Sequence, residues 1–512
     1  MAVAMVTAAV RQTPTIDEPV YVGAAAEYTH EHRLRHNPEH PPLGKLVIGA
    51  GVALAAPHID ASFTGDQGRL GRHLLYESGN DPWRLMLWAR LPVIALTLLF
   101  GLVVFAFARE LAGLAAGSAA LALYCFSPDV IAHGSLATLD VPAAGFALTS
   151  AWLVWRARRR SRLYVPLAGI ALGAASATKM SMLPAVPVLM VLAGVSVWRG
   201  CAGGRRLVRA VAGAGVVALA AIAVVWVAYL VVDPRLRWTP EQHVPVVRGM
   251  RGLLVQLLPF PEAYRDGMRV QFGLENRPWQ GFLFGRLYDG SLWYYLPAAL
   301  LVKTPLGMLA LWAGGVAAVV AVRRLRPAAP YVLAAPLVLL AAAMQGARDL
   351  GARYAVFLPL FLAVAAGCLL VVRRRWVPAG VAVLVALVAV SSVRTFPFYL
   401  PYSNEAFGGP DRTREWLHDS NVDWGQDLGR LAERLREGYA GERVWLVYKG
   451  SGVPGFYGIR AEDPRRVPVD AVRGLLVVSD SAAAKATGRL AELIGGSRPV
   501  EHVGHSITIY RS

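Results

Sequence analysis

Residues 141–178 read VPAAGFALTSAWLVWRARRRSRLYVPLAGIALGAASAT. Two apolar runs, 141–155 and 163–178, flank the basic stretch RARRRSR at 156–162. Basic residues that punctuate apolar runs fit membrane spans joined by a cytoplasmic turn. The same pattern continues on both sides. The sequence predicts further spans at 91–108, 111–126, 181–198, 210–232, 306–322, 327–344, 354–372 and 377–393. Several fall slightly short of the roughly 17–25 residues of a full crossing, which tilt and aromatic anchors accommodate. If 91–108 runs inward, the arginine clusters at 156–162, 199–209, 323–326 and 373–375 all fall on one face, which is then cytoplasmic. The fold class is therefore mainly α: a polytopic membrane bundle of about ten or eleven transmembrane helices.

Composition agrees. The 512 residues are 55% hydrophobic, with a formal charge of +18 and mean hydropathy +0.43. The charge punctuates apolar spans, which argues against a nucleic-acid partner. Cys125, Cys201 and Cys368 are too scattered for a disulfide framework or a zinc site. The apolar segment 1–10 is shorter than a span.

Everything long and polar then falls on the opposite, extracytoplasmic face. It comprises 11–90, 127–140, 233–292, 345–353 and the tail 394–512. Residues 43–56, LGKLVIGAGVALAA, are too short to cross and read as an interfacial or re-entrant helix. Past about Asp411 the apolar runs shorten. Helical patterning over 413–435 and short strands near 444–448, 475–479 and 507–510 predict a small α/β domain. The expected division is 1–404 for the membrane domain and 405–512 for the extracytoplasmic one.

Four groups on the outer face could carry chemistry. Asp17-Glu18-Pro19 suits a helix start and equally suits a carboxylate base held at the membrane surface, its neighbour orienting it or a nearby cation. Pro38-Glu39-His40-Pro41-Pro42-Leu43-Gly44-Lys45 presents His40 and Lys45 near headgroup level on a proline-stiffened turn. Asp140 opens a span, where a carboxylate is costly unless it works. Arg90, Lys179, Lys303 and Arg353 run against the cytoplasmic bias, and an anionic lipid phosphate would explain several of them together. Glycines at 169–173 and 211–215 read as close helix packing in lipid. Such a set suffices for sugar transfer from a polyprenyl phosphate. Cations stabilise the leaving phosphate, and one carboxylate takes the acceptor's proton. Asp140 could position the acceptor or bind a divalent metal ion, so the metal requirement stays open.

The chain resembles the GT-C glycosyltransferases of the protein-O-mannosyltransferase and aminoarabinose-transferase superfamily (glycosyltransferase family 39-like). It looks closest to the bacterial phospholipid carrier-dependent members. The resemblance rests on Asp17-Glu18-Pro19, NPEHPPLGK at 37–45, ARLP at 89–92, TLDVP at 138–142, ATKMS at 177–181, KTPL at 303–306 and ARY at 352–354. It extends to YLPYSNEAFGGP at 399–410 and DSNVDWGQDL at 419–428. It implies inverting transfer from an undecaprenyl- or decaprenyl-phosphate sugar to a lipid, glycan or protein hydroxyl, in the bacterial cytoplasmic membrane. It also implies Asp17 as base, Asp140 as second acid, and Arg90 and Arg353 at the donor phosphate or supporting the acidic loop. Family members carry a full span before the acidic pair, which in this chain is missing or shortened. DSNVDWGQDL has no catalytic role in this reading; its plain interpretation is a helix start capped by Asp419 to Asp423.

A transporter or flippase remains the alternative function. Such proteins place ionisable groups near the bilayer midplane, whereas here they lie at span ends. A non-catalytic scaffold presenting its tail is a third.

Overall fold

The computed structural model of the chain describes residues 1–200 and 204–512. Cys201 and part of the 199–209 cluster lie outside the described residues. The N-terminal region runs α1 (Ala2–Arg11), α2 (Glu18–Ala26), α3 (Pro42–Ala55), α4 (Gln67–Arg72) and the 31-residue α5 (Pro82–Ala112). Then come α6 (Leu114–Cys125), α7 (Pro128–Gly134), α8 (Asp140–Arg156), α9 (Ser161–Thr178), α10 (Ala185–Gly200) and α11 (Arg206–Val232). Between 233 and 292 lie α12 (Gly249–Leu257), α13 (Glu262–Glu275) and the hairpin β1 (Gln280–Leu283) and β2 (Arg286–Asp289). The bundle closes with α14 (Tyr295–Lys303), α15 (Leu306–Ala321), α16 (Ala329–Ala343), α17 (Phe357–Cys368) and α18 (Val377–Thr395).

Each of the ten expected spans coincides with a helix. Among the described residues, four helical segments are long and apolar enough to cross on their own: Pro82–Ala112, Arg206–Val232, Arg326–Ala343 and Val377–Thr395. Two bent pairs, α6 with α7 at 61° and α14 with α15 at 120°, could each serve as a broken span. The chain is a multi-pass membrane protein, and its outward side chains show why. Leu219, Val227 and Val231 of α11 and Val383, Leu387 and Val393 of α18 are exposed, as lipid-facing residues are. Inside, α9 lies against both α8 and α11. A Cβ on Gly169 would fall 2.8 Å from the Val217 carbonyl oxygen, and one on Gly173 2.7 Å from that of Ala221. Hydrogen at these positions lets two backbones touch, which supplies dispersion contact where lipid offers no hydrophobic drive.

The tail folds differently. Helices α19 (Thr413–Trp416), α20 (Leu428–Gly438), α21 (Asp480–Ala484) and α22 (Gly488–Gly495) surround five strands: β3 (Val444–Val447), β4 (Ala461–Glu462), β5 (Leu475–Ser479), β6 (Arg498–Val503) and β7 (Ile507–Arg511). The sheet order is β4-β3-β5-β7-β6, parallel among the first three and antiparallel at β7 and β6. Alternation along β3 and β5 sends Val444, Leu475 and Val477 to Leu428, Leu431 and Leu435 of α20. It sends Trp445, Val447, Leu476 and Val478 to Leu490 and Leu493 of α22. Period-2 patterning in apolar strands thus builds a three-layer α/β unit. Two strands of the tail, the two-residue β4 and the exposed β6, escaped the sequence reading.

The helix expected over 413–435 is interrupted. It stops at Trp416, and α20 starts only at Leu428. Between them Asp419 and Gly425 take left-handed backbone, φ 55° and 87°, which no continuous helix admits. Asp419 and Asp423 do not cap α20. Asp423 accepts from the amides of Gly425 (3.1 Å) and Ser481 (3.0 Å), and Asp419 pairs with Lys449.

Candidate active site

Asp17 stands at the N-terminus of α2 and makes no capping bond with its side chain. Its carboxylate instead accepts from Arg353 Nη1 at 2.7 Å. The same Nη1 lies 4.0 Å from Asp140 Oδ2. Asp140, at the start of α8, pairs with Lys179, the residue immediately after α9. Four side chains from four separate segments therefore alternate in charge: Asp17, Arg353, Asp140, Lys179. Asp17 keeps 27% of its side-chain exposure, against 7% for Arg353 and 2% for Asp140. The accessible end of the chain is Asp17.

Aromatic faces hold the cations. The Arg353 guanidinium lies 4.2 Å from the centre of the Trp424 ring and 5.1 Å from that of Tyr354. Lys179 Nζ lies 5.5 Å from Tyr354. Burial lowers the Lys179 ammonium from its ordinary value, and Asp140 opposes that shift. Burial, with Lys179 and Lys45 nearby, holds the His40 imidazole well below its usual range. The neutral ring packs edge-on against Tyr21, and its Nδ1 is buried without a partner among the described residues.

Other expected site residues are placed elsewhere. Glu18 is fully buried. It accepts from Arg90 Nε (2.7 Å) and Nη2 (2.6 Å), from the Thr15 amide (2.9 Å) and from the Ala137 amide (2.8 Å). Arg90 gives its remaining donors to the carbonyls of Ala9, Gln12 and Thr13. Of the two roles offered for Arg90, this geometry is support of the acidic loop: no N–H remains for a phosphate. Lys45 is likewise saturated by the Asn37 carbonyl (2.7 Å), the Asn37 side chain (3.2 Å) and the His40 carbonyl (2.7 Å). It pins its own turn rather than facing a headgroup. Lys303 donates to the carbonyls of Leu400 (2.6 Å) and Asn421 (2.9 Å), with Asp129 at 3.6 Å.

For a divalent ion the fit is poor as arranged. The two carboxylates that would share it have the Arg353 guanidinium between them. Among the described residues, no group of three His, Cys, Asp or Glu side chains converges as a metal site requires.

The sequence reading missed Trp424, which sits under Arg353, and His133, whose ring meets Trp424 edge-on at 6.0 Å. Trp424 did leave a signal: a lone tryptophan inside the polar run DSNVDWGQDL.

The model of the family described as dolichyl-phosphate-mannose-protein mannosyltransferase matches residues 1–233. That segment contains Asp17, Asp140 and Lys179. Among solved structures, the chain is similar to ArnT from Cupriavidus metallidurans in the apo state. The TM-score is 0.50 at 14% identity, covering 99% of this chain and 95% of that one. It is also similar to ArnT from the same organism bound to undecaprenyl phosphate, with TM-score 0.48, 15% identity and 99% and 96% coverage. No curated protein sequence matches the chain.

Proposed function

We propose that the chain is a GT-C membrane glycosyltransferase that moves a sugar from a polyprenyl-phosphate donor to an acceptor hydroxyl, with Asp17 as general base. The observation that carries the reading is Arg353, held between Asp17 and Asp140 and bonded to the more exposed acid. A donor phosphate entering there competes with Asp17 for the guanidinium. As Arg353, still on the Trp424 face, passes its in-plane hydrogen bond to the phosphate, Asp17 is released to accept a hydrogen bond from the acceptor hydroxyl. The acceptor oxygen attacks the anomeric carbon while Asp17 takes its proton. The bond from that carbon to the phosphate oxygen breaks on the opposite side, so the configuration inverts. The departing phosphate keeps its electron pair, stabilised by Arg353 and Lys179. Asp140 holds the two cations at their spacing.

The same geometry favours an extracytoplasmic site. Asp140 opens α8, Lys179 follows α9 and Arg353 precedes α17. The arginine clusters at 156–162 and 373–375 occupy the opposite ends of those helices. On this reading the site and the 405–512 domain face outward from a bacterial cytoplasmic membrane.

The test has two parts. Mass analysis of the purified protein finds a co-purifying polyprenyl-phosphate sugar, and an acceptor screen with that donor follows. Asp17→Asn then lowers turnover by about 10²–10⁴-fold, the usual contribution of a general base, with folding intact. Full turnover by that variant removes Asp17 from the mechanism.

A further inference from the structure

The tail segment 419–428 reaches the site from the far end of the chain and grips it on both sides. One grip is on the approach to Asp17. Thr13 donates its amide to the Gln426 carbonyl (3.0 Å) and its hydroxyl to that of Gly425 (3.2 Å). The Leu428 amide returns a bond to the Thr13 hydroxyl (3.2 Å), and the Ile16 amide donates to the Trp424 carbonyl (2.9 Å). This pairing ends one residue before Asp17.

The other grip is on the turn that carries Arg353. Ser420 Oγ donates to the Leu350 carbonyl (2.6 Å), and Asn421 Oδ1 accepts from the Ala352 amide (2.9 Å). The two segments are so close that a Cβ on Gly351 would fall 2.0 Å from Ser420 Oγ. Between the grips lies the Trp424 ring, 1% exposed, with Arg353 stacked on it. Arg353 Nε is buried with no hydrogen-bond partner among the described residues. The guanidinium is therefore held by one in-plane bond to Asp17 and by two rings, of which the indole, at 4.2 Å, is nearer than Tyr354 at 5.1 Å. Without the indole, only the more distant Tyr354 ring would resist rotation about the bond to Asp17.

We infer that residues 419–428 form a positioning clamp for the transfer site, in which Trp424 is the positioning residue that holds the Arg353 guanidinium between Asp17 and Asp140. The role of Arg353 toward phosphate rests on the function proposed above; the clamp on its position does not. A tail serving only as packing would need an apolar ring of this size at 424. A clamp needs the ring's negative face.

Fluorinated tryptophans separate the two, because they keep the shape while draining the ring's quadrupole. The full-length protein, in nanodiscs, receives mono- to tetrafluorotryptophan at position 424. Two quantities are read: affinity for undecaprenyl phosphate, and hydrogen exchange over 350–354 in the donor-free protein. The clamp predicts stepwise loss of affinity, to about tenfold at the most fluorinated ring, from the worth of a desolvated cation–π contact. Exchange at 350–354 accelerates in step while the unfolding temperature stays put. Trp424→Phe, which keeps a ring face, stays within about threefold of wild type, and Trp424→Leu behaves like the most fluorinated ring. Exchange that does not change across the series overturns the clamp. If the unmodified protein does not bind undecaprenyl phosphate, the donor reading fails, while exchange still decides the clamp.

Discussion

Glu18→Gln is the sharpest test of how the acidic loop is built. In the wild type one carboxylate receives two bonds from Arg90 and two from backbone amides, all at 2.6–2.9 Å. Glutamine has the same shape but presents one acceptor oxygen and one NH2. It turns a donor toward groups that are themselves donors and leaves the Arg90 charge buried without its counter-ion. Breaking a buried pair from one side costs about 3–5 kcal/mol. Arg90 keeps its three carbonyl partners, so the expected loss lies near the lower end, about 3 kcal/mol. The assay is equilibrium unfolding in mixed micelles, followed by tryptophan fluorescence. Its pH dependence supplies a second check. Burial alone would raise the Glu18 carboxyl, but the Arg90 charge and the hydrogen bonds more than offset it, so the group lies below its ordinary value. Stability from a depressed carboxylate is fully present above the unfolded value of about 4.3 and is lost as pH falls through the folded one. The gap between wild type and variant is therefore full at pH 7 and narrows in acid below about pH 4. A variant within about 1 kcal/mol of wild type at pH 7, less than the cost of any buried unpaired charge, would refute the reasoning.

Three other outcomes are expected. Gly173→Val forces α9 and α11 apart and costs about 1–3 kcal/mol; Gly215→Ala, with no atom within 4 Å of the new carbon, is neutral or slightly stabilising, and thermal unfolding in detergent compares the two. Gly425→Ala puts a side chain at φ 87°, 2.8 Å from Gly450 Cα, so both stability and turnover fall, and equal turnover would contradict the clamp's geometry. Burial pushes the Asp423 carboxyl up to about 7 against the pull of the Ser481 amide; a raised carboxyl makes the folded state progressively less stable as pH climbs from about 4 toward 7, and Asp423→Asn flattens that stretch of the melting-temperature profile.

The bundle was legible because its signal is local. An apolar run between arginine clusters declares a span whatever its neighbours do, and all ten runs became helices. The tail strands were legible where burial was two-sided, as in Leu475–Ser479, and not at Arg498–Val503, whose exposed residues carry no alternating pattern. Among site residues, Asp17, Asp140, Lys179 and Arg353 stood out because charge on the outer rim needs a reason. Charge alone could not say which cations remain free. Arg90 and Lys45 look identical in kind to Arg353 in the sequence; only three-dimensional closure reveals that backbone carbonyls already surround them. The position of DSNVDWGQDL beside the site was invisible for the same reason: its partners are some 400 residues away, at Thr13 and Ile16.

That separation has a bearing on biogenesis. Thr13 and Ile16 are made before the ten spans, and Gln426 and Trp424 only after them. A ribosome-bound chain therefore carries Asp17 through the making of all ten spans with the corner around Arg353 unfinished. On the function proposed above, sugar transfer can switch on only when residues 419–428 have docked, so half-inserted intermediates stay silent toward donor lipids already in the bilayer.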